Sequence, residues 1–334
     1  MNFAIVSKYR TELMGIATLW VLLFHYGKIG IPIIDSLSTL GYGGVDIFLF
    51  LSGIGLSFSI KDGVKSFYIK RILRIFPTYF ILIIIDSLLS SHINISDIFI
   101  KTSCIGYYLF WENINYFEWY VPTILIFYAF FPIWHRLYKN NKLYGYSIIL
   151  LGLFLTGILA YIGKWSMIYL TITRIPIFFI GGIVGSELNN SNKKAENTKY
   201  NILMPAISTL TLLFTYIMVN KFSWNTLWLT GLLWIPFIII TPGLCILLSH
   251  IFNNSGKTIC KIFKFIGNLS FEVYLLHIIV LNHYRDMFNN NLLGKQISFI
   301  LFCFLIILIS YILKRIYTPV HNRLLSVLRI KQIK

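Results

Sequence analysis

The sequence predicts an all-α, polytopic integral membrane protein with about ten transmembrane helices. Of its 334 residues, 57% are hydrophobic and 12% are charged, whereas about a quarter of the residues in an ordinary soluble domain are charged. Its mean hydropathy is +0.74. Mostly apolar windows of roughly 17 to 25 residues recur from end to end, and each is long enough to cross a hydrocarbon layer ~30 Å thick. Residues 1–334 are therefore predicted to form one membrane domain.

The ten candidate spans follow one another with short polar connections between them. Their centres lie near Trp20, Leu51, Leu82, Phe127, Phe154, Ile177, Leu210, Ile238, Leu276 and Leu305. The apolar segment 98–111 is too short and too broken to count as an eleventh span. Each span is expected to be a helix, because a helix satisfies its backbone polar groups within one segment of the chain.

The distribution of basic residues predicts the orientation of these spans. The net charge is +17. With the N-terminus in the cytoplasm, every inner loop holds several basic residues and every outer loop holds one or two, which is the positive-inside bias. Only six of the 29 basic residues then lie outside: Lys28, Lys101, Lys164, Lys221, Arg285 and Lys295. Both termini are therefore predicted to be cytoplasmic, and the excess charge indicates membrane lipid rather than nucleic acid as a partner.

One basic residue lies inside a predicted span. Arg174 belongs to the sixth span, in the segment YLTITRIPIFFIGG. A charge within a membrane segment is costly, so it usually faces the protein interior and marks a functional site or pathway. A second interpretation stays open: the side chain snorkels, or it bonds to carbonyl groups that Pro176 leaves without donors.

A histidine and a carboxylate are predicted to lie at similar depth near the outer face. His25 lies near the outer end of the first span, and Asp46 near the outer start of the second, within LGYGGVDIFLFLSG. A carboxylate that accepts a hydrogen bond from one imidazole nitrogen leaves the other nitrogen as a base. The two are therefore a candidate catalytic pair; the alternative is two interfacial polar residues that never meet. Gly53 and Ser57 form a small-residue pair suited to close helix packing.

A basic cluster stands at the predicted cytoplasmic start of the third span. Lys70, Arg71 and Arg74 come just before Pro77. Guanidinium groups recognise phosphate oxygens in pairs, so the cluster is a candidate phosphate clamp. The alternative is that these charges only set the orientation of the span.

Three further residues are candidate contacts for an acceptor. Glu118 and Trp119 stand at the outer start of the fourth span, where a carboxylate and an aromatic ring can bind sugar; the alternative is an interfacial aromatic belt. His277, in the middle of its span, lines a tunnel or bonds to a neighbouring helix. The four cysteines show no metal-ligand spacing, so no metal site is predicted.

Six segments, in order along nearly the whole chain, resemble the successive motifs of the acyltransferase-3 family of bacterial integral-membrane acyltransferases. They are LMGIATLWVLLFH, GYGGVDIFLFLSG, RILRIFPTYF, EWYVPTILIFYAFFP, RIPIFFIGGIVG and FIGNLSFEVYLLH. The resemblance implies a ten-span enzyme of the bacterial cytoplasmic membrane that moves an acyl group, usually acetyl, from cytoplasmic acyl-CoA to a hydroxyl of an extracytoplasmic or lipid-linked glycan. Acyl-CoA is then a substrate, and no permanently bound cofactor is expected. The acceptor glycan and the oligomeric state stay open.

The resemblance also implies roles for His25, Asp46, Arg71, Arg74 and Arg174, which match motif positions of the family. The chain departs from the family at Met14, where an arginine is common. Arg10 lies four residues earlier, about 40° around the helix and ~6 Å deeper, so we expect it to reach the same ligand. Fifteen residues separate Arg10 from His25, or ~22 Å along a helix. An extended pantetheine arm covers much of that gap.

The expected reaction is direct transfer. His25, oriented by Asp46, removes the proton of a sugar hydroxyl as it attacks the thioester carbonyl, and Arg174 stabilises the oxyanion. A transient acetyl-histidine is the rival path. Two other functions stay open: a transporter or flippase of glycan or lipid intermediates, which should show inverted repeats or paired broken helices, and a membrane sensor, which needs no His and Asp at matched depth.

Overall fold

A computed structural model describes residues 3–90, 94–104, 106–109, 119–162, 168–190, 198–224, 232–289 and 294–328. These residues contain no β-strand, so the predicted all-α class is confirmed for them. Their α-helices, in chain order, are α1 (Phe3–Lys8), α2 (Arg10–Tyr26), α3 (Pro32–Ser38), α4 (Gly43–Ser59), α5 (Val64–Leu89), α6 (Ile95–Thr102), α7 (Gly106–Leu109), α8 (Tyr120–Asn140), α9 (Lys142–Ile162), α10 (Ile168–Ile172), α11 (Ile175–Asn190), α12 (Thr198–Lys221), α13 (Phe237–Asn254), α14 (Lys257–Asn268), α15 (Ser270–Asn289) and α16 (Lys295–Val327).

The helices support a multi-pass membrane protein. Each of the ten predicted span centres lies within a helix: α2, α4, α5, α8, α9, α11, α12, α13, α15 or α16. By length and composition, six helical segments of the described residues can cross a membrane, and eight can if each of two bent pairs counts as one span. The bent pairs are α3 with α4, at 55°, and α14 with α15, at 66°. Helix α2 has only 17 residues, so alone it is marginal for a layer ~30 Å thick.

Helix α4 is the central helix of the bundle, because most of its residues are buried on every side. It approaches α11 closely through small residues. A Cβ at Gly53 would collide with the carbonyl group of Phe178, and Ser57 Oγ donates a hydrogen bond of 2.8 Å to the carbonyl of Gly182. The predicted packing role of Gly53 and Ser57 is therefore confirmed, and it fixes the helix that carries Asp46.

Helix α2 is held in a similar way by α14. A Cβ at Gly15 would meet the carbonyl oxygen of Phe263, and one at Gly267 would meet that of Thr11. Two backbones in contact leave little freedom for either helix to slide or rotate. The positions of Arg10 and His25 at the two ends of α2 are therefore set by backbone packing.

Helices α9, α12 and α16 form much of the apolar outer surface. They expose large hydrophobic side chains, among them Leu150, Phe154, Leu210, Phe214 and Phe304. Such side chains are stable on the outside of a protein where lipid surrounds it. Asp46 and Arg174 are buried and belong to none of these three helices.

Candidate active site

A cavity of about 390 Å³ lies beside the last turn of α2, and we name it the histidine cavity. His25 and Arg174 contribute basic side chains to it, and aromatic rings form much of its wall. It is lined by Val21, Phe24, His25, Thr39, Tyr42, Val45, Tyr107, Trp119, Leu170, Arg174, Val219, Leu233 and Trp234. Mostly apolar cavities with a few convergent polar groups are the usual form of a small-molecule site.

Arg174 is enclosed between two tryptophans and a carboxylate. Its guanidinium carbon lies 3.9 Å from the ring centre of Trp234 and 5.1 Å from that of Trp119. Its Nε lies 3.6 Å from Asp46 Oδ1, and its Nη1 donates a hydrogen bond of 2.9 Å to Thr173 Oγ1. Arg174 faces the protein interior, as the first interpretation expects, and not the lipid surface. Stacked aromatic rings and a carboxylate stabilise a buried guanidinium without filling all its donor positions.

Asp46 is buried, and its charged neighbour is Arg174. Its Oδ2 accepts no hydrogen bond from any residue that the structure describes. The carboxylate at the start of α4 therefore lies beside the arginine of the site, and the contacts of Asp46 among the described residues do not include the predicted hydrogen bond to His25.

His25 lies against a second histidine. The ring centres of His25 and His277 are 5.0 Å apart, and those of His277 and Tyr274 are 5.5 Å apart. His277 is fully buried, its Nδ1 lies 3.3 Å from the carbonyl oxygen of Val273, and its Nε2 has no hydrogen-bond partner among the described residues. His277 is not among the residues that line the histidine cavity, so both interpretations of its role, in a tunnel or in bonding to a neighbouring helix, stay predictions.

A second cavity, of about 270 Å³, begins at Tyr274, and we name it the central cavity. It is lined by Arg10, Met14, Phe48, Leu51, Ser52, Gly55, Leu56, Phe58, Ser59, Arg71, Arg74, Ile75, Tyr120, Ile124, Tyr128, Ser270, Phe271 and Tyr274. The rings of Tyr274, His277 and His25 thus lead from the central cavity to the histidine cavity. The two cavities follow one another along α2, from Arg10 and Met14 to Val21 and His25.

A third cavity, of about 370 Å³, adjoins the central cavity at its basic end, and we name it the lysine cavity. It is lined by Arg10, Thr11, Met14, Lys70, Arg71, Arg74, Gly267, Asn268, Ser270, Phe271, Glu272, Lys314, Tyr317, Thr318, His321, Asn322 and Leu325. Arg10, Arg71 and Arg74 therefore line both cavities at their junction, as does Met14.

Two guanidinium groups at this junction have no anionic partner in the part of the chain that the structure describes. Arg10 and Arg74 make no hydrogen bond or ion pair with any residue that the structure describes. Gly55 makes room for Arg10, because a Cβ there would collide with its Nη1. Arg71 differs: its Nη2 donates to Ser59 Oγ at 2.5 Å, and its guanidinium lies over the ring of Tyr128, at 5.7 Å.

The structure brings together most of the residues that the sequence singles out. Arg10, Lys70, Arg71 and Arg74 line the lysine cavity, while His25, Trp119 and Arg174 line the histidine cavity. Glu118 lies outside the described residues. Arg10 lies beside Arg71 and Arg74 in the lining of both cavities, and its contact with the same ligand stays a prediction.

The sequence analysis does not identify several residues of the site. Trp234 lies in a short 3-10 turn before α13, and no pattern in the sequence distinguishes it from an interfacial tryptophan. Tyr42 stands in the GYGGVD segment, which gives a weak signal, and its hydroxyl is buried without a hydrogen bond among the described residues. Tyr120 and Tyr274 pack with ring centres 5.0 Å apart in the wall of the central cavity. Their meeting depends on contacts between α8 and α15 that the sequence does not indicate.

These helices and cavities define a multi-pass membrane protein with a histidine and an arginine in one cavity and a cluster of basic residues in another. Residues 13–315 match the family model of the acyltransferase domain known as acyltransferase-3. Since that match covers most of the chain, the chain belongs to the acyltransferase-3 family, as predicted. It is an enzyme of the O-acetyltransferase-like class.

The relatives agree with this class. A protein of Acidianus two-tailed virus, provisionally named an acetyltransferase, is 24% identical over 80% of this chain and 82% of its own length. Provisionally named O-acetyltransferases of Staphylococcus aureus strains COL and MSSA476 are each 26% identical over 92% of this chain and 56% of their own length. The chain thus spans little more than half the length of these staphylococcal relatives. No solved structure matches it significantly.

Proposed function

We propose that the protein moves an acetyl group from cytoplasmic acetyl-CoA to a hydroxyl of a cell-surface or lipid-linked glycan in a bacterial cytoplasmic membrane. The observation that carries this proposal is the alignment of the cavities. Arg10 and Arg74, which make no ion pair with any described residue, line one end of the path, and His25 lies at the other. Guanidinium groups with which no described carboxylate pairs attract a phosphate-bearing ligand.

The length of the path suits an extended thioester carrier. Arg10 and His25 are fifteen residues apart on one continuous helix, ~22 Å along its axis. A pantetheine arm in the central cavity connects phosphates at the arginines to a thioester near Tyr274 and His277. The donor then brings its thioester close to His25 while its phosphates stay at the junction.

The histidine cavity suits a sugar acceptor. Trp119 and Trp234 contribute indole rings to its wall. Tyr42 contributes a buried hydroxyl that makes no hydrogen bond with any described residue. Flat aromatic rings pack against the apolar faces of sugars, while single polar groups orient the sugar hydroxyls. These features favour a glycan over an acceptor with a long apolar chain.

In the proposed reaction, one imidazole nitrogen of His25 takes the proton of the acceptor hydroxyl as its oxygen attacks the thioester carbonyl carbon. The oxyanion that forms is stabilised by Arg174, whose Nε has no hydrogen-bond partner among the described residues. When the intermediate collapses, the carbon–sulfur bond breaks and the imidazolium returns its proton to the departing thiolate. Asp46 acts through Arg174, because it holds the guanidinium in place.

The test uses purified protein in proteoliposomes with radiolabelled acetyl-CoA and a panel of purified bacterial surface oligosaccharides. We expect free coenzyme A and labelled oligosaccharide to appear in equal amounts, and both to disappear with His25→Gln. Passage of an oligosaccharide across the membrane without thiol release would instead identify a transporter. Label that stays on the protein in the absence of acceptor, and that is lost with His25→Ala, would favour the acetyl-histidine path.

A further inference from the structure

The last helix, α16, contributes a lysine to the basic cluster of Arg10, Lys70, Arg71 and Arg74. Lys314, on α16, lines the lysine cavity. Its Nζ donates a hydrogen bond to the carbonyl of Asn268 and lies 3.9 Å from Glu272 Oε2. These two contacts direct the ammonium group into the cavity, away from the lipid-facing side of α16.

The basic residues fall into two groups by the cavities that they line. Arg10, Arg71 and Arg74 line both the central and the lysine cavity, so they stand at the junction. Lys70 and Lys314 line the lysine cavity alone. An anion at the junction therefore meets guanidinium groups, whereas an anion elsewhere in the lysine cavity meets the ammonium groups of Lys70 and Lys314 together with the carboxylate of Glu272.

The covalent order of coenzyme A matches this division. The thiol and pantetheine arm come first, then the pyrophosphate, then a ribose that carries adenine and a 3′-phosphate. If the arm occupies the central cavity, the pyrophosphate reaches the junction arginines. The ribose, the adenine and the 3′-phosphate then lie in the lysine cavity, on the side away from the arm.

We propose that Lys314 binds the 3′-phosphate of the donor and so makes the enzyme select coenzyme A over carriers that lack this group. The inference rests on the proposed function, because it takes acyl-CoA as the donor. Lys314 is the better placed of the two lysines, because its side chain is partly exposed, whereas Lys70 is buried. A compact ammonium suits a phosphate monoester as a point charge.

Comparison of two ligands isolates this contact. Binding of coenzyme A and of dephospho-coenzyme A, which lacks only the 3′-phosphate, is measured by calorimetry on the full chain in nanodiscs. Wild-type protein should bind coenzyme A about tenfold more tightly, as expected for one charge-assisted hydrogen bond. Lys314→Gln should lose about tenfold for coenzyme A and nothing for dephospho-coenzyme A.

Lys264→Gln is the matched control, because Lys264 is exposed on α14, outside all three cavities, and its loss changes the net charge equally. It should leave the ratio of the two affinities unchanged. The inference about Lys314 is wrong if Lys314→Gln lowers the affinity for both ligands equally or for neither. Binding of coenzyme A by the wild-type protein would in that case still support acyl-CoA as the donor. Failure of the wild-type protein to bind either ligand contradicts the proposed function itself.

A measurement on the unaltered protein covers the case in which Lys314→Gln does not fold. An amine-reactive acylating reagent modifies accessible lysines, and mass spectrometry reports the yield at each. Coenzyme A should protect Lys314 severalfold more than dephospho-coenzyme A does, with Lys264 protected by neither. Equal protection of Lys314 by the two ligands contradicts the contact with the 3′-phosphate.

Discussion

Asp46 Oδ1 lies 3.6 Å from Arg174 Nε in the interior of the bundle, where the two side chains are 3% and 1% exposed. Each charge depends on the other, because an ion buried alone carries a large desolvation cost. The pair joins the start of α4 to the start of α11, the two helices that pack through Gly53. The pair therefore contributes to the stability of the bundle and also holds Arg174, the residue proposed to stabilise the oxyanion.

Asp46→Asn should destabilise the folded protein by about 3 kcal/mol, because it leaves the Arg174 charge buried without a counter-charge. The double variant Asp46→Leu with Arg174→Met should recover most of this stability and remain inactive. Unfolding in detergent by increasing denaturant measures the first effect, and acetyl transfer measures the second. A single variant as stable as wild type would show that the pair is not an energetic unit.

His25→Gln should lower kcat for acetyl transfer by ~10²- to 10⁴-fold, the usual contribution of a general base. Glutamine preserves much of the size of the side chain but cannot accept the proton. Affinity for acyl-CoA should stay unchanged, because the nucleotide end is held at the other end of α2. A variant that is well folded and transfers acetyl at the wild-type rate contradicts the assignment of His25.

Arg71→Gln with Arg74→Gln should weaken binding of acetyl-CoA, and the loss should be greatest at low salt, where the attraction is least screened. Single changes should distinguish the two residues by their effect on thermal stability. Arg74 has no partner among the described residues, so its loss should leave thermal stability unchanged. Arg71 contacts Ser59 and Tyr128, so its loss should lower stability as well. Unchanged affinity with altered insertion would assign both residues to orientation alone.

Gly53→Ala should lower the thermal midpoint, because the new Cβ would collide with the backbone of α11, which cannot move aside as a flexible side chain can. Gly157→Ala is the matched control on α9, where a Cβ meets nothing within 4 Å. Alanine is the better helix former, so the control should keep or raise the midpoint. Equal effects of the two changes would show that the contact of α4 with α11 is looser than described.

A reporter fused after Lys334 should be active only if it functions in the cytoplasm, as the positive-inside bias predicts. The same reporter inserted between Gly27 and Ile31, at the outer end of α2, should be inactive there. Activity of a periplasm-dependent reporter after Lys334 would reverse the orientation, and with it the assignment of donor and acceptor sides.

Features with a local cause were predictable from the sequence. The apolar windows place a helix at every expected span, and the clustering of Lys70, Arg71 and Arg74 places them on one wall of a cavity. Features that depend on packing between distant helices were not predictable. Nothing near Asp46 in the sequence indicates that Arg174, 128 residues later, is its neighbour. Lys314 was not predictable either. In the sequence it resembles the other inner-loop charges, and only the packing of α16 beside α5 and α14 shows that it lines a cavity.

The ring contact between His25 and His277 has a consequence for the membrane itself. A route by which a donor on one side reaches an acceptor on the other is also a route for water and protons, and the central and histidine cavities approach each other along α2 with the rings of Tyr274, His277 and His25 between them. If the protein has the proposed path, we expect these rings to form its permeability barrier. Enlarging the gap, as with His277→Ala, should make proteoliposomes leak protons, detected by a pH-sensitive dye trapped inside them, whether or not any substrate is present.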